Sequence, residues 1–202
     1  MNKIWISVLF LVFLLPESVF AGDFEELTAI CESCHGPAGT SPYSDVPTIG
    51  GQSEKYIRGS LASFQVWGRP CVKSLYRSGD TSRPKTDMCK IAGGLSREDI
   101  QALGEHYSSQ PWVAAPQPFD ASQVEAGKAL HQQHCESCHE QGGTVVSVGP
   151  KLAGQWAPYL KSALKFVPSG EHMVPPLMER RLGEFSEQDI GALLDYYASQ
   201  QN

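Results

Sequence analysis

The chain has 202 residues, 41% of them hydrophobic, and a formal charge of −6. That apolar fraction supports packed cores and excludes wholesale disorder. No Lys/Arg run is long enough to neutralise a phosphate backbone, which excludes a nucleic-acid binder.

The N-terminus reads as a secretory signal over residues 1–21. Lys3 supplies a positive start, residues 4–15 are apolar, Pro16 breaks the run, and Val19-Phe20-Ala21 offers a small-residue cleavage site before Gly22. The run is short for a membrane span, with an uncleaved anchor as the alternative, and no later segment is apolar enough to span. Six cysteines follow: Cys31, Cys34, Cys71, Cys89, Cys135 and Cys138. An even count in an exported chain suggests disulfides, but four of the six stand in another pattern.

Phe24, Leu27 and Ile30 predict a helix leading into Cys31-Glu-Ser-Cys34-His35. Pro47-Thr-Ile-Gly-Gly-Gln52 and Tyr56 come next, and then Ser96-x-x-Asp99 opens a helix with Ile100, Leu103 and Tyr107 on one face. The same blocks return in the same order. Cys135-Glu-Ser-Cys138-His139 lies 104 positions on; Pro150-Lys-Leu-Ala-Gly-Gln155 and Tyr159 lie 103 on; Ser186-x-x-Asp189 with Ile190, Leu193 and Tyr197 lies 90 on. The first half therefore carries 13 extra residues between its second and third blocks, the stretch in which Cys71 and Cys89 lie. Before the second motif, Ser122-x-x-Glu125 predicts a capping box ahead of Val124, Ala126 and Leu130. Residues 111–120 hold three prolines without helical period and read as an extended connector between a first domain at 22–110 and a second at 121–202. No stretch sustains strand alternation. Each half of short helices and Gly/Pro-rich loops buries little apolar surface alone, so a large apolar cofactor is expected to complete its core.

Cys-x-x-Cys-His is a c-type haem attachment pattern. Two thiols on one turn of chain can form thioethers to the vinyl groups of one haem, and the next histidine can ligate the iron. The expected cofactors are two covalently bound haem c groups, on Cys31, Cys34 and His35 and on Cys135, Cys138 and His139. A four-cysteine zinc site is the rival, but zinc ribbons separate their pairs by roughly 15–20 residues, whereas 101 positions separate Cys34 from Cys135. A thioredoxin-like pair lacks its strand–helix context. A thioether is the usual second axial ligand of an electron-transfer haem. Met88 and Met178 each stand seven positions before the residue leading into a closing helix, Leu95 and Phe185, and differ by the 90-residue repeat step. Met173 lacks a counterpart and is the rival to Met178. Pro47 and Pro150 stand 12 and 11 positions after the histidines, where a backbone carbonyl can accept the other ring N–H. His106, His131, His134 and His172 read as packing or surface residues; Trp67, Trp112 and Trp156 as linings of haem pockets or of the interdomain core.

On these motifs, with Gly51-Gln52, Gly154-Gln155 and the closing Tyr196-Tyr197-Ala-Ser-Gln-Gln201, the chain resembles the class I cytochromes c, and in its two-domain layout the dihaem c-four type. The second half is similar to the cytochrome subunit of flavocytochrome c sulfide dehydrogenase through its stretch at 152–160. The resemblance implies an all-α fold of two tandem haem domains, His/Met ligation by His35 with Met88 and by His139 with Met178, and a periplasmic location. It implies redox partners: a flavoprotein sulfide dehydrogenase subunit, or a terminal oxidase for a free-standing carrier. The first-half insertion departs from the family. There Cys71 and Cys89 are expected to form a disulfide stapling the loop that carries Met88; the rival is Cys89 as a thiolate ligand to the first haem, which would suggest catalysis on sulfur compounds.

Overall fold

The structure, a computed structural model, describes residues 21–146 and 149–201. The expected signal segment lies outside the described residues except Ala21, which opens the first helix.

The first half contains α1 (Ala21–His35), a 3-10 turn (Pro37–Gly39), α2 (Glu54–Gln65), α3 (Met88–Gly93) and α4 (Arg97–Ser108). The second contains α5 (Val124–His134), a short turn of helix α6 (Glu140–Gly143), α7 (Ala157–Lys165), α8 (Pro176–Glu184) and α9 (Glu187–Ser199). Extended pairing among the described residues is limited to an isolated bridge between Ser74 and Thr86. The fold is all-α, as the periodicity predicts.

Local chemistry sets the helix starts. Ser96 and Asp99, and Ser186 and Asp189, form reciprocal capping boxes at the entries of α4 and α9. The box predicted at Ser122 does not form. The Ser122 hydroxyl donates to Asp120 Oδ1 at 2.7 Å, so α5 starts from Gln123 without a side-chain cap. An aspartate two residues upstream offers the hydroxyl a closer acceptor than the helix offers it a donor.

The apolar stripes meet as expected. Ile100, Leu103 and Tyr107 of α4 join Ile57 and Leu61 of α2 and Ala92 of α3, with α1 residues Phe24 and Leu27 against them. Leu193, Leu194, Tyr196 and Tyr197 of α9 join Leu160 of α7, flanked by Val124, Leu130 and Ile190. Burying a side chain such as Leu103 contributes about 1.5–3 kcal/mol. Helices α5 and α9 cross so closely that a Cβ on Gly127 would meet the Ala192 backbone.

The connector is extended but not free. Ala115 N–H donates to Gly154 O (2.7 Å), the Gln117 side chain bonds Gln155 O and Ala157 N–H (each 2.8 Å), and Asp120 N–H donates to Asp195 Oδ1 (2.9 Å). These bonds lay residues 115–120 along the second half. The insertion folds as a pinned loop: Cys71 and Cys89 form a disulfide, and Ser74 and Thr86 exchange both backbone hydrogen bonds. Its middle reaches back to the first motif, where Arg77 and Ser78 N–H donate to Ser33 O at 2.9 and 3.0 Å.

Candidate functional site

The two Cys-x-x-Cys-His motifs end their leading helices differently. In the first, α1 runs through to His35; in the second, α5 stops at His134 and the motif continues as turns, with His139 N–H on Cys135 O at 2.9 Å. Cys31, Cys34, Cys135 and Cys138 are all free thiols, half-buried, with Cys31 and Cys135 packed on the two cores. Burial pushes the Cys31 thiol up to about 11 and raises Cys135 as well.

Each motif histidine is held by one carbonyl. His35 Nδ1–H donates to Pro47 O at 2.9 Å, and His139 Nδ1–H donates to Pro150 O at 3.1 Å. Burial lowers both imidazole pKa values, against the opposing effect of those carbonyls, so the rings stay neutral. With Nδ1 occupied, Nε2 is the nitrogen left to bind a metal, and the carbonyl raises its basicity. Gly149 keeps the second ring in place: a Cβ there would lie 2.5 Å from His139 Cε1.

The remaining sequence-selected residues fall as follows. Met88 is the first residue of α3 and packs half-buried on the first core. Met178 is half-buried in α8, whereas Met173 is 70% exposed and its amide donates to Gly68 O at 2.8 Å. The disulfide consumes both Cys71 and Cys89, which leaves no thiolate for iron and removes the Cys89-ligation rival. The four motif cysteines do not gather into one metal-binding cluster among the described residues, which removes the zinc rival. His131 is fully buried with Nδ1 on the Tyr197 hydroxyl and Nε2 on Glu136, each 2.8 Å, so both nitrogens are engaged in packing.

Two glutamines that the repeat displays, but whose role spacing does not reveal, join the halves. Gln155 Nε2 donates to Thr48 O (2.8 Å) and its Oε1 accepts from Thr48 N–H (3.0 Å). Gln52 does the same to Lys151, at 3.1 and 2.9 Å. Trp156 Nε1–H donates to Ser41 O at 2.9 Å across the same seam. The glutamines are aimed by the glycines before them. Gly51 and Gly154 adopt φ of 73° and 74°, which suits glycine, and donate to the last turns of α4 and α9 through Tyr107 O and Tyr197 O. Thr48 and Lys151 directly follow Pro47 and Pro150, so each glutamine braces the carbonyl that holds the other half's histidine.

The donor set fits a covalent haem in each half: two free thiols on one turn and a neutral, oriented imidazole.

Comparison with known proteins agrees. The family described as cytochrome c oxidase, cbb3-type, subunit III matches residues 122–196. Cytochrome c4 of Stutzerimonas stutzeri is 29% identical over 210 residues, 97% of this chain and 98% of that protein. Cytochrome c-554(548) of Halomonas halodenitrificans is 31% identical over 86 residues, 43% of this chain and 90% of that protein. Among solved structures, reduced recombinant cytochrome c4 from Pseudomonas stutzeri superposes with a TM-score of 0.69 at 25% identity, covering 89% of this chain and 98% of that one. The thiosulfate dehydrogenase TsdBA from Marichromatium purpuratum shares the fold, with a TM-score of 0.67 at 21% identity over 88% of this chain and 40% of that one.

Proposed function

Because this chain belongs to the dihaem class I cytochromes c of the c4 type and carries two covalently bound haem c groups, we propose that it relays single electrons in the periplasm as the cytochrome subunit of a sulfide dehydrogenase-like flavoprotein system. Residues 22–110 and 121–202 form the two haem domains, with 111–120 between them, and export follows from the segment at 1–21. No helix of the described residues is long and apolar enough to cross a membrane.

When bound, haem c supplies a one-electron iron couple. The protein's part is to hold and insulate that couple. Cys31 and Cys34, and Cys135 and Cys138, would hold the haems covalently. His35 and His139 present Nε2, with Pro47 and Pro150 fixing the tautomer. Met88 and Met178 would supply a thioether sulfur to each iron, a donor set that favours electron transfer over catalysis. The single observation that carries the reading is the pairing of the two His–Pro units through Gln52 and Gln155. A rigid seam between the ligand-holding segments suits transfer from one half to the other.

A second reading is a free-standing carrier that feeds a terminal oxidase, favoured by the family match over 122–196. The similarity to a thiosulfate dehydrogenase is one more reason to look for a sulfur-oxidising partner. Purification from the native source separates them. A stoichiometric flavin-bearing subunit supports the first; a flavin-free cytochrome that reduces a purified oxidase supports the second.

A further inference from the structure

Charge is unevenly placed along this acidic chain. The stretch between α2 and α4, residues 66–96, holds six Lys/Arg and two Asp, +4 in a chain of −6, so the rest carries −10. Its counterpart between α7 and α9, residues 166–186, sums to −1. Three of the six cations are engaged. Arg69 bonds inward to the Tyr159 hydroxyl at 3.2 Å, Arg77 pairs with Asp45 at 2.6 Å, and Arg83 lies 3.8 Å from Asp80. Lys73, Lys85 and Lys90 are exposed and make no ion pair among the described residues.

The fold gathers these lysines around exposed apolar side chains. The antiparallel bridge between Ser74 and Thr86 sets Leu75 across from Lys85, and the disulfide brings Val72, next to Cys71, towards Lys90, next to Cys89. Val72 is 56% and Leu75 50% exposed. The same loop lies on the first motif. Cys34 Sγ, one of the two atoms that would join the first haem covalently, is 3.6 Å from Leu75 O, and Ser33 O accepts from Arg77 and Ser78 N–H. An apolar centre rimmed by cations is thus fixed beside the first attachment site.

We propose that this disulfide-closed loop, through Lys73, Lys85 and Lys90 around Val72 and Leu75, docks a redox protein with an acidic face that exchanges single electrons with the first half, a role that rests on the electron-relay reading and adds the charge of the partner to it. A single exposed lysine–carboxylate contact is worth only about 0–1 kcal/mol. Clustered charges act together at longer range, steering the encounter, and the apolar centre then seats the partner. The −10 on the rest of the chain turns an acidic partner away from the other faces. It also opposes an extended anionic membrane plane, whereas a local acidic patch on a protein meets only the loop.

The test uses the full, haem-loaded protein. Mass spectrometry first locates haem on the peptide spanning Cys31 to His35; a bare peptide refutes the cofactor reading and this proposal with it. Reduction of the ferric protein is then followed by stopped flow with two donors, reduced plant-type ferredoxin, which is an acidic protein, and hexaammineruthenium(II), a small cation. Each encounter moves one electron: the donor is oxidised by one and a ferric iron becomes ferrous. The ferredoxin rate should fall as ionic strength rises. The triple variant Lys73→Gln, Lys85→Gln, Lys90→Gln should slow it about tenfold at low ionic strength, with the midpoint potentials and the ruthenium rate not reduced. The control variant Lys128→Gln, Lys161→Gln, Lys165→Gln removes the same charge from exposed positions of the second half and should leave the ferredoxin rate nearly unchanged. Equal slowing by the two variants would mean that only net charge is read, and overturns the proposal. So does a ferredoxin rate indifferent to salt, or a loop variant that slows both donors alike. Wild-type protein that sediments with phosphatidylglycerol vesicles, an effect lost in the loop variant, would make the loop a lipid contact and also overturn it.

Discussion

Gln52 and Gln155 exchange places across the molecule: each uses both atoms of its side-chain amide to bind the backbone of the residue that the repeat pairs with its partner's site, Lys151 and Thr48. The contact is two-fold in character, as in an isologous dimer interface, though made within one chain. It places the segments that orient His35 and His139 back to back.

Gln155→Ala should therefore act in trans. It leaves the N–H and C=O of Thr48, a residue 1% exposed, without partners, at a cost of roughly 1–3 kcal/mol. The haem on the first motif should show the larger change in paramagnetic NMR shifts, although the substitution is in the second half. Gln52→Ala should do the converse. Changes confined to the substituted half would contradict the bracing role.

Replacing Cys71 and Cys89 together by serine opens an 18-residue span and should cost about 3 kcal/mol in the chain-entropy picture. Denaturant unfolding measures it. Met88 adjoins Cys89, so the first haem's iron–thioether absorption should weaken before global unfolding, and the second haem's should not.

Met88→Ala and Met178→Ala should each remove about half of the ferric iron–thioether band, given one such ligand per haem, and the double variant should remove it all. Met173→Ala should leave the band intact. A band that survives Met178→Ala and disappears in Met173→Ala would transfer the ligand role.

Two glycines of the second half should respond with opposite sign. Gly127→Ala drives a methyl group into the Ala192 backbone and should destabilise by roughly 1–3 kcal/mol. Gly191, within α9, has nothing within 4 Å of a new Cβ, so Gly191→Ala should stabilise by up to about 1 kcal/mol. Thermal melts of the two variants side by side provide the check.

Acid sensitivity should include the two capping boxes. Hydrogen bonds from the Ser96 and Ser186 hydroxyls, and then from their amides, hold Asp99 and Asp189 below the usual carboxylate value. A depressed carboxylate contributes its full stabilisation above the unfolded value, about 4, and loses it as pH falls through the lower folded value. Replacing both aspartates by asparagine should flatten the dependence of the melting temperature on pH below about 4.

Much of this was legible in the sequence. The repeat and the Ser-x-x-Asp signals give the closing helices, because capping is local chemistry. Cys-x-x-Cys-His gives the attachment residues because the chemistry fixes their spacing. What pairs across the halves was not legible. Gln52 and Gln155 bind backbone atoms about 100 positions away, and a backbone acceptor leaves no mark in the residue it belongs to. Ser122 misled because a hydroxyl has more than one nearby partner, and Asp120 outcompeted the helix end.

The loop clasped by the disulfide, with Arg77 and Ser78 bonded to Ser33, lies against the first motif, and no loop is bonded in this way to the second among the described residues. Two near-copies of one unit thus become distinguishable ends. The first motif is bordered by a covalently closed loop that the second lacks among the described residues, so the two halves present different surfaces beside otherwise matching motifs.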